Sequence, residues 1–243
     1  MIYKARAGQA SYGAPIGILL LDAFTPFIPG DVANASSYRY PVRFQKVEGF
    51  TVKRALSRDP TVFGSLLAAT EELVLQGVRA VTGDCGFMGI HQRKLARQLD
   101  VPVFLSSLIQ IPFITNIIAE GEKIGVITAD SRSIDEQLLE AVGVRTAENL
   151  EIRGLEETEN FRMTVLEESG VLDSEKIKKE VVFAAEQLIA EEPKVRAILL
   201  ECSCLPPFGA DVQEAVRLPV FDYITMIDYV FSAVVKRRYR GIM

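Results

Sequence analysis

A single histidine, His91, serves the whole chain of 243 residues. Without a second one, and with His91 badly placed for a relay, Ser-His-Asp hydrolysis is a poor reading. Cysteine is almost as scarce. Cys85, Cys202 and Cys204 make an odd number in a chain without an export signal, which points to reduced thiols in the cytoplasm. Basic charge is not in excess: 27 Lys and Arg stand against 32 Asp and Glu, for a net charge of −5. That balance argues against nucleic acid or an anionic membrane as the main partner. The one basic run, Lys236-Arg237-Arg238-Tyr239-Arg240, reads as the solvated last turn of a helix.

Long hydrophobic runs are missing too. The longest apolar stretch, 104–119, is broken by Ser106, Ser107, Gln110, Pro112, Thr115 and Asn116, so nothing spans a bilayer. Lys4 and Arg6 ahead of Ile16–Leu21 imitate a signal peptide faintly. Asp22 follows at once with no cleavage pattern, so a first strand is the better reading. There is no Walker A motif, and no Gly-x-Gly-x-x-Gly between a strand and a helix, which sets nucleotide enzymes aside.

What the chain does have is a repeat. Val78-Arg79-Ala80 arrives at Cys85, and Val195-Arg196-Ala197 arrives at Cys202. Pro102-Val103-Phe104 is matched by Pro219-Val220-Phe221, and all these pairs are 117 residues apart (195 − 78, 202 − 85, 219 − 102). Ile16-Gly17-Ile18-Leu19 and Ile124-Gly125-Val126-Ile127 open the two halves alike, as short buried strands of parallel sheets. Apolar residues make up 49% of the chain, enough for two cores.

The pattern predicts strands at 16–21, 42–47, 78–84 and 101–105 in the first half, with helices over 60–76, 89–99 and 108–120. Asp59 and Gly77 bound the first of these helices. The second half predicts strands at 124–129, 143–148, 195–201 and 218–222, and helices over 131–141, within 158–190, over 207–216 and over 224–238. Such alternation means an α/β fold of two duplicated αβα domains. Their parallel four-stranded sheets face each other across a cleft with pseudo-twofold symmetry. The expected boundaries are 1–107 plus 224–243 for one domain and 108–223 for the other, the last helix returning to the first domain.

Cys85 and Cys202 both stand at strand C-termini, where open parallel sheets bind ligands. Backbone N–H groups of a helical segment beginning there lower a thiol pKa and attract anions. A lone strand-end cysteine is ordinarily packing. Two at matching places of a duplicated unit reverse that reading: thiols facing each other across one pocket could remove a proton from a carbon acid and return one from the opposite face.

The motifs Thr82-Gly83-Asp84-Cys85-Gly86-Phe87 and Leu200-Glu201-Cys202-Ser203-Cys204-Leu205-Pro206 resemble the paired cysteine motifs of the aspartate/glutamate racemase superfamily. That superfamily includes hydantoin racemases, maleate isomerases and arylmalonate decarboxylases, and the resemblance covers nearly the whole chain. It implies a racemase or epimerase acting next to a carboxylate, without a cofactor or metal, with Cys85 and Cys202 as the acid/base pair. It also implies that Gly86, Phe87, Ser203 and Cys204 hold the substrate carboxylate. The expected partners are that small carboxylate and further copies of the chain in a homo-oligomer. Gly86-Phe87 replaces the Asn-Thr of many relatives, and Cys204 stands where amino-acid racemases often carry His or Glu. Both departures weigh against an acidic amino-acid substrate.

The loop Phe24–Asn34 is read as a pocket wall or lid that would bring Asn34 to the substrate, or as a surface meander. Thr128 either offers a hydroxyl to the cleft or ends a strand. The runners-up are a maleate isomerase-like enzyme with a nucleophilic cysteine and an arylmalonate decarboxylase-like enzyme with one catalytic cysteine. Beyond them lie a sensor of small carboxylates and a Cys₃His zinc site built from Cys85, Cys202, Cys204 and His91.

Overall fold

The computed structural model describes residues 1–243. Its strands are β1 (Ile16–Leu20), β2 (Val42–Lys46), β3 (Ala80–Gly83), β4 (Val103–Phe104), β5 (Lys123–Thr128), β6 (Leu150–Gly154), β7 (Val195–Leu200) and β8 (Val220–Phe221). The helices are α1 (Val52–Leu56), α2 (Phe63–Leu75), α3 (Gln92–Ala96), α4 (Ile111–Ile117), α5 (Glu136–Ala141), α6 (Glu159–Phe161), α7 (Ser174–Glu191), α8 (Gly209–Val216) and α9 (Tyr223–Val234). No helix is long and apolar enough to cross a membrane.

Two parallel sheets form, with orders β2-β1-β3-β4 and β6-β5-β7-β8. Their registers are copies of each other: Ile16 pairs with Val42 and Ala80, and Ile124 pairs with Leu150 and Ala197. The repeat therefore runs at an offset of 108 in the first two strands of each half (124 − 16, 150 − 42). It runs at 117 in the last two (197 − 80, 220 − 103). The shared Ile-Gly opening has a packing reason. A Cβ on Gly17 would stand 2.9 Å from Leu73 of α2, and one on Gly125 would stand 2.7 Å from Leu188 of α7. In both halves the absent side chain lets a helix settle closely on the first strand.

One apolar cluster runs through both halves, joining Leu19, Val81 and Leu105 to Val126, Ile198 and Leu200. A smaller cluster on the opposite face of the first sheet joins Ile16, Ile18, Ala80 and Phe104 to Tyr223, Met226 and Ile227 of α9. The Tyr223 hydroxyl donates to the Leu105 carbonyl at 2.8 Å, and Phe231 stacks on Tyr40 at 3.6 Å. Helix α9 thus covers a sheet built from the start of the chain. These contacts make the halves one packed body with the C-terminal ends of both sheets at its centre.

The local structure departs from the sequence reading in four places. Helix α1 (Val52–Leu56) forms where none was expected, and α9 ends at Val234, so the basic run Lys236–Arg240 lies beyond the helix and is not its last turn. The strand expected at 143–148 forms at Leu150–Gly154, after a turn that begins at Gly143 with φ +89°. The helix expected over 89–99 is a 3₁₀ segment, Gly86–His91, followed by the short α3.

Candidate active site

Strands β3 and β7 end side by side at the junction, each delivering an acid and then a cysteine: Asp84-Cys85 and Glu201-Cys202. The two turns are held alike. The Asp84 N–H donates to the Leu19 carbonyl at 2.9 Å, and the Glu201 N–H donates to the Ile127 carbonyl at 2.7 Å. Between them lies a small, largely enclosed pocket lined by both cysteines, both acids, Gly86, Phe87, Ser203 and Cys204. Ala23, Thr25 and Phe27 of the long loop form one wall, and Val165 and Leu166 of the second half face them. The loop is tied across by Phe24 N–H donating to Glu168 at 2.7 Å and by the Thr25 hydroxyl donating to the Thr164 carbonyl at 3.4 Å.

Each residue after a cysteine meets the acid before the other cysteine. Ser203 donates its hydroxyl to the Asp84 carbonyl. Across the pseudo-twofold, a Cβ on Gly86 would stand only 1.4 Å from Glu201 Oε1, so glycine is the residue that admits the Glu201 side chain. Glu201 is fixed through its other oxygen, Oε2, which accepts from Thr128 at 2.8 Å, while Oε1 is buried without a partner. The Asp84 carboxylate accepts from the Leu21 N–H at 2.9 Å.

Three acids stand around the thiols, and no Lys, Arg or His lines the pocket. Burial pushes Asp84 up to about 8 and Glu201 up to about 7. Asp31, buried beside Cys204, is likewise pushed up to about 7 by burial, against the Ala33 N–H that it accepts at 2.8 Å. Sequence reasoning passed over all three acids. A signal was present for two of them: the 117-residue repeat that aligns the cysteines also aligns Asp84 with Glu201 at the ends of otherwise apolar strands.

The thiols are not equivalent. Burial and the neighbouring Asp84, Glu201 and Cys202 hold Cys85 well above an ordinary thiol, against a hydrogen bond from the Phe87 N–H. The expected lowering of Cys85 at a helix start is thereby corrected, because desolvation outweighs the one amide aimed at it. The Cys204 thiol is also pushed well up, first by its hydrogen bond to Cys202, then by burial and by Asp31. Cys202 thus has a thiol donor beside it, and Cys85 has the Phe87 ring at the matching position. Nor does a helix begin directly after Cys202: a 3₁₀ turn at Pro206–Phe208 precedes α8.

Two sequence-predicted ligands lie elsewhere. Asn34 caps a short turn, accepting from the Ser36 N–H at 2.9 Å and donating to the Phe27 carbonyl at 2.9 Å, so it shapes the loop instead of lining the pocket. The Thr128 hydroxyl is spent on Glu201, and its side chain is fully buried behind that residue. His91 packs against Phe50 and Phe63, away from the thiols, and no group of three His, Cys, Asp or Glu has the spacing of a metal site.

Among curated proteins, a dimethylsulfoniopropionate lyase of Durusdinium sp. clade D is 34% identical over 223 residues, which is 89% of this chain and 73% of that protein. The chain belongs to the dimethylsulfoniopropionate lyase family. Dimethylsulfoniopropionate lyase 5 of Emiliania huxleyi is 32% identical over 228 residues, covering 90% of this chain and 45% of that one. The chain spans about half the length of several of the family members it matches. No protein-family model matches it.

Among solved structures, allantoin racemase from Klebsiella pneumoniae superposes with TM-score 0.59 at 14% identity, over 90% of this chain and 88% of that one. Unliganded arylmalonate decarboxylase gives 0.58 at 17%, over 93% and 94%. These likenesses show the racemase-superfamily fold and no more. The family relationship overturns the expected racemase or epimerase, because the relatives are lyases by name and not isomerases.

Proposed function

We propose that this chain is a lyase that cleaves dimethylsulfoniopropionate into dimethyl sulfide and acrylate. The observation that carries the reading is the 34% identity to a lyase of that name over most of both chains. The chemistry asks for one base. A propionate with a sulfonium on its β-carbon has an acidic α C–H and a neutral leaving group. Removing the α-proton sends its electron pair into a new C=C bond while the β C–S bond breaks and its pair leaves on sulfur.

Cys202 is the base in this reading, as a thiolate accepting from the Cys204 thiol, and the proton ends on its sulfur. Cys85 stays a thiol, held so by burial and the nearby acids. Backbone N–H groups of the turns after each cysteine take the substrate carboxylate, since no cationic side chain lines the pocket to do so. Apolar walls from Phe27, Val165 and Leu166 keep water from the carbanion-like transition state.

The test is direct. Purified protein is incubated with dimethylsulfoniopropionate, with dimethyl sulfide followed by headspace gas chromatography and acrylate by proton NMR. Equimolar products from the wild type, and a loss of at least ~10³-fold in Cys202→Ser, are expected. No dimethyl sulfide from well-folded wild type would refute the reading.

A further inference from the structure

We propose that Glu201 is the specificity residue that reads positive charge on the substrate, so that this site takes small onium carboxylates in preference to neutral isosteres. The substrate class rests on the lyase reading above; the geometry does not.

Glu201 is buried at 1% exposure, yet it lines the pocket. Its Oε2 is anchored by Thr128 at 2.8 Å, and Oε1 has no donor from any part of the protein. A buried carboxyl oxygen left without a partner is costly, and a fold does not retain it where an apolar residue would pack. Here the fold goes further and makes room for it. Gly86 stands where any Cβ would fall 1.4 Å from Oε1, so the turn after the first cysteine is shaped around this oxygen. No Lys, Arg or His lines the pocket to complete the pair.

A ligand that brings its own cation completes it. A sulfonium or quaternary ammonium has no N–H to donate and is satisfied by a carboxylate at van der Waals range, with aromatic and aliphatic walls around its methyl groups. Phe27, Phe87 and Val165 supply such walls. Asp84 is the weaker candidate for the role, because Leu21 N–H already occupies its Oδ1.

The experiment uses two unreactive ligands of nearly the same shape, 3-(trimethylammonio)propionate and 4,4-dimethylpentanoate. Their dissociation constants are measured by calorimetry at about pH 8.5, above the value of about 7 to which burial pushes Glu201, so that it is a carboxylate. The proteins are wild type, Glu201→Gln, Glu201→Asp and Asp84→Asn, beside turnover of dimethylsulfoniopropionate. Wild type should prefer the ammonium ligand by about 10- to 100-fold, the range of a desolvated charge contact. Glu201→Gln should bind both ligands about equally, with the neutral ligand's affinity kept. Should Glu201→Gln fail to fold, Glu201→Asp, which keeps the charge but withdraws it by one methylene, should still reduce the preference.

An absent preference in wild type overturns the proposal, as does a preference unchanged in Glu201→Gln or, where that variant does not fold, in Glu201→Asp. Loss of the preference only in Asp84→Asn does so too. A wild type that shows the Glu201-dependent preference but releases no dimethyl sulfide would sink the lyase reading and leave this one standing. Turnover without the preference would do the reverse.

Discussion

Replacing Gly86 by alanine tests the packing at the centre of the site. The new Cβ would lie 1.4 Å from Glu201 Oε1 and 2.5 Å from its Cδ. Cβ atoms essentially never approach closer than 3.0 Å, so the carboxyl must retreat by 1.6 Å or more (3.0 − 1.4). That movement takes Oε2 off Thr128, which is fully buried and has only this acceptor for its hydroxyl. Two buried polar groups then lose their bond at about 1–3 kcal/mol each, giving a net destabilisation on the order of 2–5 kcal/mol. The lower entropy of an alanine chain in the unfolded state returns only about 0.4–1 kcal/mol. Urea denaturation measures the loss, provided the slope with denaturant is unchanged. A double-mutant cycle identifies its source: in a Glu201→Ala background, Gly86→Ala should cost little, with a coupling energy of about 2 kcal/mol or more. Gly86→Ala as stable as wild type, or equally destabilising in both backgrounds, would refute the steric argument.

Cys204→Ala removes the donor beside Cys202 and should lower kcat/KM for dimethyl sulfide release about 10- to 100-fold, the value of a hydrogen bond to a charged group. Cys204→Ser should recover part of it, whereas a wild-type rate in Cys204→Ala would remove that bond from the mechanism. The buried acids also predict how stability follows pH. Asp84 at about 8, with Asp31 and Glu201 at about 7, holds protons in the folded state that the unfolded chain releases near pH 4. Their contribution is complete below that pH and is lost as pH rises through 7 to 8. Ligand-free protein should therefore be less stable at pH 9 than at pH 5.5, by on the order of a few kcal/mol, and Asp84→Asn should flatten the slope. Urea midpoints that stay level or rise over that range would contradict it.

Much of this architecture is legible in the sequence because a parallel sheet buried on both faces leaves continuous apolar runs, and here each run occurs twice. The same repeat could have been pressed further. Carrying Val42–Lys46 forward by the 108-residue offset of the first strands lands on Leu150–Gly154, where β6 forms. Val144, inside the strand expected at 143–148, is buried at the turn after α5 and not in a strand. At the site, the cysteines declared themselves by position. Asp84 and Glu201 did not, since acids in a sequence are read as solvated and only the fold shows them sealed. Asn34 and Thr128 misled in the opposite sense. A short polar side chain near a strand end looks like a ligand until its backbone or carboxylate partner is known.

Duplication makes the scaffold symmetric, and the residues after each cysteine undo that symmetry. Positions 86 and 203 correspond, as do 87 and 204, yet they carry Gly against Ser and Phe against Cys. Gly86 yields its space to Glu201, and Ser203 spends its hydroxyl on the Asp84 carbonyl, so each turn serves the opposite half differently. Phe87 gives Cys85 an aromatic neighbour, while Cys204 gives Cys202 a hydrogen-bond donor. A reaction whose two thiols must exchange roles gains nothing from such inequality, because one of its two directions always meets the less suitable base. An elimination draws one proton from one side and expels a neutral sulfide. On the proposed reading it has no roles to exchange, and it suits a site in which Cys204 donates toward Cys202 while burial and the acids Asp84 and Glu201 hold the Cys85 thiol well above its ordinary value.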